Sequence, residues 1–275
     1  MNQPFEEFGF TLELTRDGSP TLRLNQVAMG EIHAESMHHS AGAASETWYV
    51  YGAVIEKVFQ VIKALKLDTI KTCSIGLGLG YIEQVWALNA LAYQKQINKD
   101  VLLTLDSFEI IPSLVDCFLD WVLQKTNKPN HQVYDLAYQK LVEIQKENFK
   151  DEKKQILKDS LLTYLENQYK NNFNIFENIL NYKDKQKWNI ICFDAFSKKS
   201  SAALWTDSFL NHFIKNHCNK DCVFTTYACT AELKKILTDN NFIVLKRLGF
   251  SGKRDSTLAV RGKYINIFTT SVWTD

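Results

Sequence analysis

Cys73-Ser74-Ile75-Gly76-Leu77-Gly78-Leu79-Gly80-Tyr81-Ile82-Glu83 spaces three glycines between apolar residues, where an apolar run gives way to helical periodicity. A strand that enters a helix through glycines makes a βα turn whose backbone can approach a nucleotide-like ligand closely. The first turn of that helix presents free N–H groups. A dinucleotide fingerprint is G-x-G-x-x-G and needs its third glycine at position 81. Tyr81 stands there, so the spacing is G-x-G-x-G and a nicotinamide oxidoreductase is excluded. Other nucleotide-like ligands remain open, as does a glycine-rich turn that binds nothing.

Around this turn the chain alternates between strand and helix patterns. TIKTCSIGL reads as a strand, Tyr81–Gln94 as a helix and VLLTLDSFE as a second strand. Later come WNIICFDAF (strand), Ala202–Asn216 (helix), DCVFTTYA (strand) and Thr230–Asn240 (helix). FIVLKRLGF and STLAVRG read as a closing antiparallel hairpin. Apolar strands alternating with amphipathic helices predict an α/β fold with a parallel sheet and right-handed crossovers. Upstream, FTLEL and TLRLN flank the turn Arg16-Asp17-Gly18-Ser19-Pro20, which predicts a hairpin. Trp48–Leu65 has helical apolar spacing through Val50, Val54, Val58 and Val61. We expect one domain over 1–275, with a hairpin-and-loop extension at 1–47 and a helical insertion at 112–185 over the carboxyl ends of the strands.

Bulk properties are those of a globular protein with a real core: 275 residues, 45% hydrophobic and 23% charged. No apolar run approaches the roughly 20 residues that cross a bilayer. The first ten residues lack a basic segment followed by an apolar one, so a cytoplasmic protein without membrane association is expected. The six cysteines include no CxxC pair and read as reduced core thiols. The Cys218/Cys222 spacing is too nonspecific to predict a metal site. Residues 185–275 hold 14 Lys+Arg against 7 Asp+Glu, whereas residues 1–184 hold 18 against 24. A basic C-terminal third suits an anionic partner such as nucleic acid, or is simply a solvated surface.

Three further segments carry chemistry. LDSFEII ends the second strand with Asp106 and Glu109, either of which can accept hydrogen bonds from ribose hydroxyls or cap the following helix. In CFDAFSKKSSAALW, Asp194 follows an apolar run and is flanked by Phe193 and Phe196. A carboxylate there can orient an amine and take up its proton, and aromatic faces tolerate a sulfonium or ammonium cation. A plain N-cap aspartate is the alternative. LKRLGFSGKRD ends in the adjacent cations Lys253 and Arg254, which suit phosphate contacts.

In this order, these elements resemble the methyltransferase domain of the bifunctional MnmC tRNA-modifying enzymes and the stand-alone MnmD-type enzymes. The matching segments are DGSPT at 17–21, HSAGAASE at 39–46, SIGLGLG, Ser107-Phe108-Glu109 with Pro112, Asp194-Ala195-Phe196 with Leu204-Trp205, and the closing Lys246–Asp255 pattern. The resemblance spans nearly the whole chain and implies a Rossmann-like class I methyltransferase that uses S-adenosyl-L-methionine. It implies methylation of the 5-aminomethyl group of a modified wobble uridine in tRNA, with a separate flavin-dependent oxidase acting upstream. It assigns Gly76, Gly78 and Gly80 to the methionine part of the cofactor, Glu109 to its ribose and Asp194 to the amine, as the catalytic residue beside the cofactor. Glu46 lines the cofactor side of the pocket. His39, Ser40, Phe196, Lys253 and Arg254 fall on the substrate side.

The chain departs from the family at three places. Ser197-Lys198-Lys199-Ser200-Ser201 replaces the usual prolines, His38 replaces a tyrosine, and no Gly-Asp precedes the fourth strand, where Asn174 and Glu177 are the nearest polar residues. Rival readings on the same fold are a polyamine aminopropyltransferase or small-molecule amine methyltransferase, and a non-catalytic cofactor-binding domain.

Overall fold

The computed structural model describes residues 5–25, 35–94, 97, 101–125, 128–148, 156–252 and 255–270. Its centre is a seven-stranded sheet built from β3 (Thr69–Ile75), β4 (Leu102–Phe108), β5 (Phe173–Phe176), β6 (Trp188–Phe193), β7 (Cys218–Thr226), β8 (Ile243–Leu245) and β9 (Thr257–Arg261). The strand order is β5-β4-β3-β6-β7-β9-β8. Strands β5 to β7 across the sheet run parallel, while β9 is antiparallel to both β7 and β8. The Rossmann-like sheet and the terminal antiparallel pair match the sequence expectation. The strand β8 is shorter than expected, because the residues after Leu245 leave the ladder for a loop.

Both faces of the sheet are covered, so its central strands are buried along most of their length, and every residue of β6 is buried. Alternation along that strand serves two cores. Ile190 and Cys192 face one, while Ile191 and Phe193 face the other. The first core also takes α2 (Ala53–Val61), α3 (Tyr81–Ala92), α4 (Pro112–Val122), α5 (His131–Asn148) and α6 (Lys158–Asn171). The second takes α7 (Asp207–His217) and α8 (Ala231–Asp239). Among the described residues, no helix is long and apolar enough to cross a membrane.

The stretch 112–185 holds α4, α5 and α6, and then the edge strand β5. The packing partners of α5 include α3, α4, α1 (Ala43–Thr47) and the strand Pro20–Leu24, so its apolar face is shared between the neighbouring helices and the N-terminal region.

That region is a hairpin of β1 (Phe10–Leu14) and β2 (Pro20–Leu24). Its turn caps α1 across the chain. The Ala43 amide donates to Thr15 Oγ1 (3.1 Å), the Ala44 amide to Ser19 Oγ (3.0 Å) and the Ser45 amide to Asp17 Oδ2 (3.1 Å). These are the first amides of the helix, which have no partner within it. Burial of Asp17 works to raise its pKa, but hydrogen bonds from Ser19 and Ser45 outweigh it and hold the carboxyl below its usual range. The DGSPT and HSAGAASE segments are therefore two halves of one junction.

Behind the glycine turn, Glu83 is fully buried at the start of α3. Ser107 Oγ donates to its Oε1 at 2.7 Å, and Oε2 meets no donor among the described residues. Burial raises its pKa to about 7, and the Ser107 bond offsets only part of the rise. Between about pH 4.5 and 7 the folded protein keeps a proton that the unfolded chain has lost. Stability therefore falls as pH rises through that window. Relative to the wild type, Glu83→Gln should gain roughly 3 kcal/mol between pH 5 and pH 8.5. Thermal melts of both proteins at the two pH values test this, and a constant difference would refute it.

Candidate functional site

The parallel register sets the site. Ile75 pairs with Phe108 on one side and with Phe193 on the other, and Phe108 pairs with Phe176. Four strands therefore end in one row. The next residue on each, Gly76, Glu109, Asp194 and Glu177, lines a single cavity of about 590 Å³ at the carboxyl edge. This volume lies within the range of small-molecule sites, and the position is where open α/β sheets bind ligands.

Gly76 has φ +97°, and a Cβ there would meet the Asp194 carbonyl oxygen at 2.6 Å. Only a glycine allows the loop to abut the end of β6 so closely. Gly78 lines the cavity and donates its amide to Glu109 Oε2 (3.0 Å). Glu109 Oε1 accepts the Ile111 amide, also at 3.0 Å. Burial raises the Glu109 pKa, and these backbone bonds oppose the rise. Each carboxylate oxygen keeps acceptor capacity beyond one bond, which a diol can use. Gly80 is outside the lining: it precedes α3 at φ +65°, and a Cβ would collide with the Phe118 ring.

The alternatives at the end of β4 separate clearly. Asp106 points into the sheet, where it accepts from Asn174 Nδ2 (2.8 Å) and Trp188 Nε1 (2.7 Å). It ties β4 to β5 and β6, and it occupies Asn174 in doing so. Glu109 and Glu177 remain at the cavity.

At the end of β6 the Asp194 amide donates to the Ile75 carbonyl (2.9 Å). Its Oδ1 accepts the Tyr51 hydroxyl at 2.6 Å. Trp205 Nε1 donates to the Phe196 carbonyl (2.7 Å) and Tyr227 to the Ala195 carbonyl (2.8 Å). These two bonds pin the Asp194-Ala195-Phe196 corner, with Phe196 in the lining. From the N-terminal side, Glu46 Oε2 accepts the His39 amide (2.6 Å), and His39 and Ser40 line the cavity with it. Glu35 Oε1 accepts the Ser197 amide (3.0 Å), and its Oε2 accepts the Ser197 hydroxyl (3.0 Å) and that of Ser200. The loop that departs from the family is thus held by a residue outside every matching segment.

The cavity lining contains Glu35, Glu46, Glu109, Glu177 and Asp194, and no Lys or Arg among the described residues. None of the described residues between 112 and 171 lines the cavity, so the three helices of that stretch stand beside the pocket. Lys253 and Arg254 lie outside the described residues. Their neighbour in the closing segment, Arg247, is only 2% exposed. It donates to the Val50 carbonyl (3.1 Å) and Thr225 Oγ1 (3.2 Å) and covers the Tyr49 ring, 4.6 Å from its centroid.

Sequence reasoning passed over Tyr51, Tyr227 and Glu35. Tyr51 adjoins Val50 in the apolar helical pattern and gave no separate signal. Trp48–Gly52 folds as a π-turn between α1 and α2, which a 3.6-residue period does not describe.

Residues 143–262 match the model of a family described as S-adenosyl-L-methionine-dependent methyltransferase. An uncharacterized protein of Methanocaldococcus jannaschii is 27% identical over 260 residues, covering 90% of this chain and 58% of that protein. The chain therefore spans little more than half the length of this relative. The crystal structure of MNMC2 from Aquifex aeolicus superposes with a TM-score of 0.56 at 19% identity, over 92% of this chain and 70% of that one. The residues present fit S-adenosyl-L-methionine: Glu109 offers a buried carboxylate at the cavity, and the acidic lining suits a cationic ligand. The chain thus shares the Rossmann-like fold of MNMC2, and its residues 143–262 match a methyltransferase family whose cofactor is S-adenosyl-L-methionine.

Proposed function

We propose that this protein is an N-methyltransferase that converts the 5-aminomethyl group of a modified wobble uridine in tRNA to 5-methylaminomethyl. The observation that carries the reading is Asp194 beside Phe196, next to Gly76, in a cavity without Lys or Arg among the described residues. When bound, the cofactor supplies a methyl group on a cationic sulfur. Gly76 and Gly78 would make room for its methionine end and Glu109 would hold its ribose, with Glu177 the candidate for its adenine. An alkyl amine is largely protonated at neutral pH, so it must lose a proton before it can attack. Asp194 accepts that proton and aligns the lone pair at near-attack distance.

The basic residues Lys253 and Arg254, with Lys198 and Lys199 of the exposed loop, take the role of tRNA phosphate contacts. A separate flavin-dependent oxidase would supply the aminomethyl uridine, and both would act in the cytoplasm.

The five carboxylates also favour a second reading, transfer to a small polyamine. Against it, Glu35, Glu46 and Glu109 are engaged by backbone amides and serine hydroxyls of the chain itself. Incubation with methyl-labelled S-adenosyl-L-methionine, spermidine and bulk tRNA lacking this methylation, followed by analysis of nucleosides and polyamines, should give labelled 5-methylaminomethyl-uridine. Label on spermidine with none on tRNA would favour the second reading and sink the first.

A further inference from the structure

The Tyr51 hydroxyl is buried against Asp194, and the proposed transfer has so far given it no part. The side chain is 1% exposed. Its hydroxyl donates to Asp194 Oδ1 at 2.6 Å, with the Phe193 carbonyl farther off at 3.3 Å. The tyrosine belongs to the π-turn Trp48–Gly52, a wide turn that is rare and recurs at functional sites. Its neighbour Val50 has a carbonyl that accepts from Thr225 Oγ1 (2.6 Å) and Arg247 Nη1 (3.1 Å). Both donors are buried. The irregular backbone next to Tyr51 is therefore fixed by side chains from β7 and the closing segment. Such costly polar burial goes beyond what packing an ordinary helix requires.

We propose that Tyr51 is a positioning residue for methyl transfer: it holds Asp194 Oδ1, so that Oδ2 faces the acceptor amine and receives its proton. This rests on the assignment of Asp194 as the partner of the amine. The ammonium gives one proton to Oδ2, and the freed lone pair forms the N–C bond as the bond from methyl to sulfur breaks. The bonding electrons stay on sulfur, the product leaves as a secondary ammonium, and the Asp194 proton passes to water.

Among the described residues, the titratable groups close enough to act on Asp194 include Tyr51 from the π-turn, Tyr227 after β7 and Cys192 on its own strand. Glu35 and Glu46 stand near Tyr227, with His39 on Glu46. Burial, first of all, pushes Tyr51, Tyr227 and Cys192 upward, so these three keep their protons at neutral pH. Tyr51 therefore serves as a donor to the carboxylate and not as a base.

Tyr51→Phe removes the donor and keeps the ring. With methylation-deficient tRNA and labelled S-adenosyl-L-methionine, kcat should fall about tenfold, while calorimetric binding of S-adenosyl-L-methionine stays unchanged. The acid limb of kcat/KM should move to higher pH. A readout independent of turnover is the carboxyl ¹³C titration of Asp194, assigned by its loss in Asp194→Asn, which should move the same way. An unshifted titration overturns the proposal, as does a loss of activity uniform in pH and accompanied by weaker cofactor binding. Full turnover in Asp194→Asn would overturn the assignment of Asp194 beneath it. An inactive Asp194→Asn beside a Tyr51→Phe with the wild-type pH profile would overturn only the role of Tyr51.

Discussion

Asp194→Asn should bind S-adenosyl-L-methionine as the wild type does and lose between about 10² and 10⁴-fold in kcat, the range for removing a positioned proton acceptor. Asn matches Asp in size and still offers an oxygen to Tyr51, whose hydroxyl lies 2.6 Å from Asp194 Oδ1. The Asp194 amide keeps its bond to the Ile75 carbonyl, so the end of β6 stays against the glycine loop. What disappears is an oxygen able to take the proton from the amine. Because the change spares Gly78 and Glu109, the cofactor should bind by the same contacts. Calorimetric titration of S-adenosyl-L-methionine and steady-state transfer kinetics separate the two effects. A kcat within threefold of the wild type would remove Asp194 from proton transfer.

Gly76→Ala should abolish measurable cofactor binding and lower the melting temperature. A residue with a Cβ held at φ +97° costs about 1–3 kcal/mol in backbone strain. The added carbon would also sit 2.6 Å from the Asp194 carbonyl oxygen and 3.1 Å from its carbon. Relief requires the loop and the end of β6 to separate, which displaces the cofactor cradle and Asp194 together. A displacement of about 1 Å costs on the order of 10²-fold in turnover. Gly252→Ala is the control: φ is +81°, but among the described residues nothing lies within 4 Å of the new carbon. It should show the strain alone, with cofactor affinity unchanged. Equal behaviour of the two variants would mean that the contact between Gly76 and Asp194 has no bearing on binding.

Much of the fold follows from local pattern. The strands β3, β4, β6 and β7 are legible because each buries both faces near its carboxyl end, which suppresses polar alternation there and leaves short runs rich in apolar residues. The N-terminal hairpin follows from its Asp-Gly-Ser-Pro turn. β5 was not legible: its four residues lie in a helix-rich stretch and sit at the sheet edge, where composition is weakly constrained. The packing of α5 was not legible either, because an amphipathic pattern shows that a face is buried and not what covers it.

The same division runs through the site. The sequence alone determined which residues end the strands: Gly76, Glu109 and Asp194 each follow an apolar run, and a run ends where burial ends. It also excluded the dinucleotide fingerprint through Tyr81. Tertiary structure decided which of these residues meet. Register brings the ends of β3, β4, β5 and β6 into one row, and register depends on hydrogen bonding between segments far apart in the chain. Only that row separates Glu109 from Asp106 and Glu177 from Asn174. Only the close packing of the π-turn against β6 brings Tyr51 to Asp194, 143 residues away in sequence. The three glycines show why: each has the same conformational freedom in the sequence, but their neighbours in space differ. Asp194 abuts Gly76, Met37 lies over Gly78 and Phe118 packs on Gly80, and those contacts make two of them part of the cavity and the third part of the core.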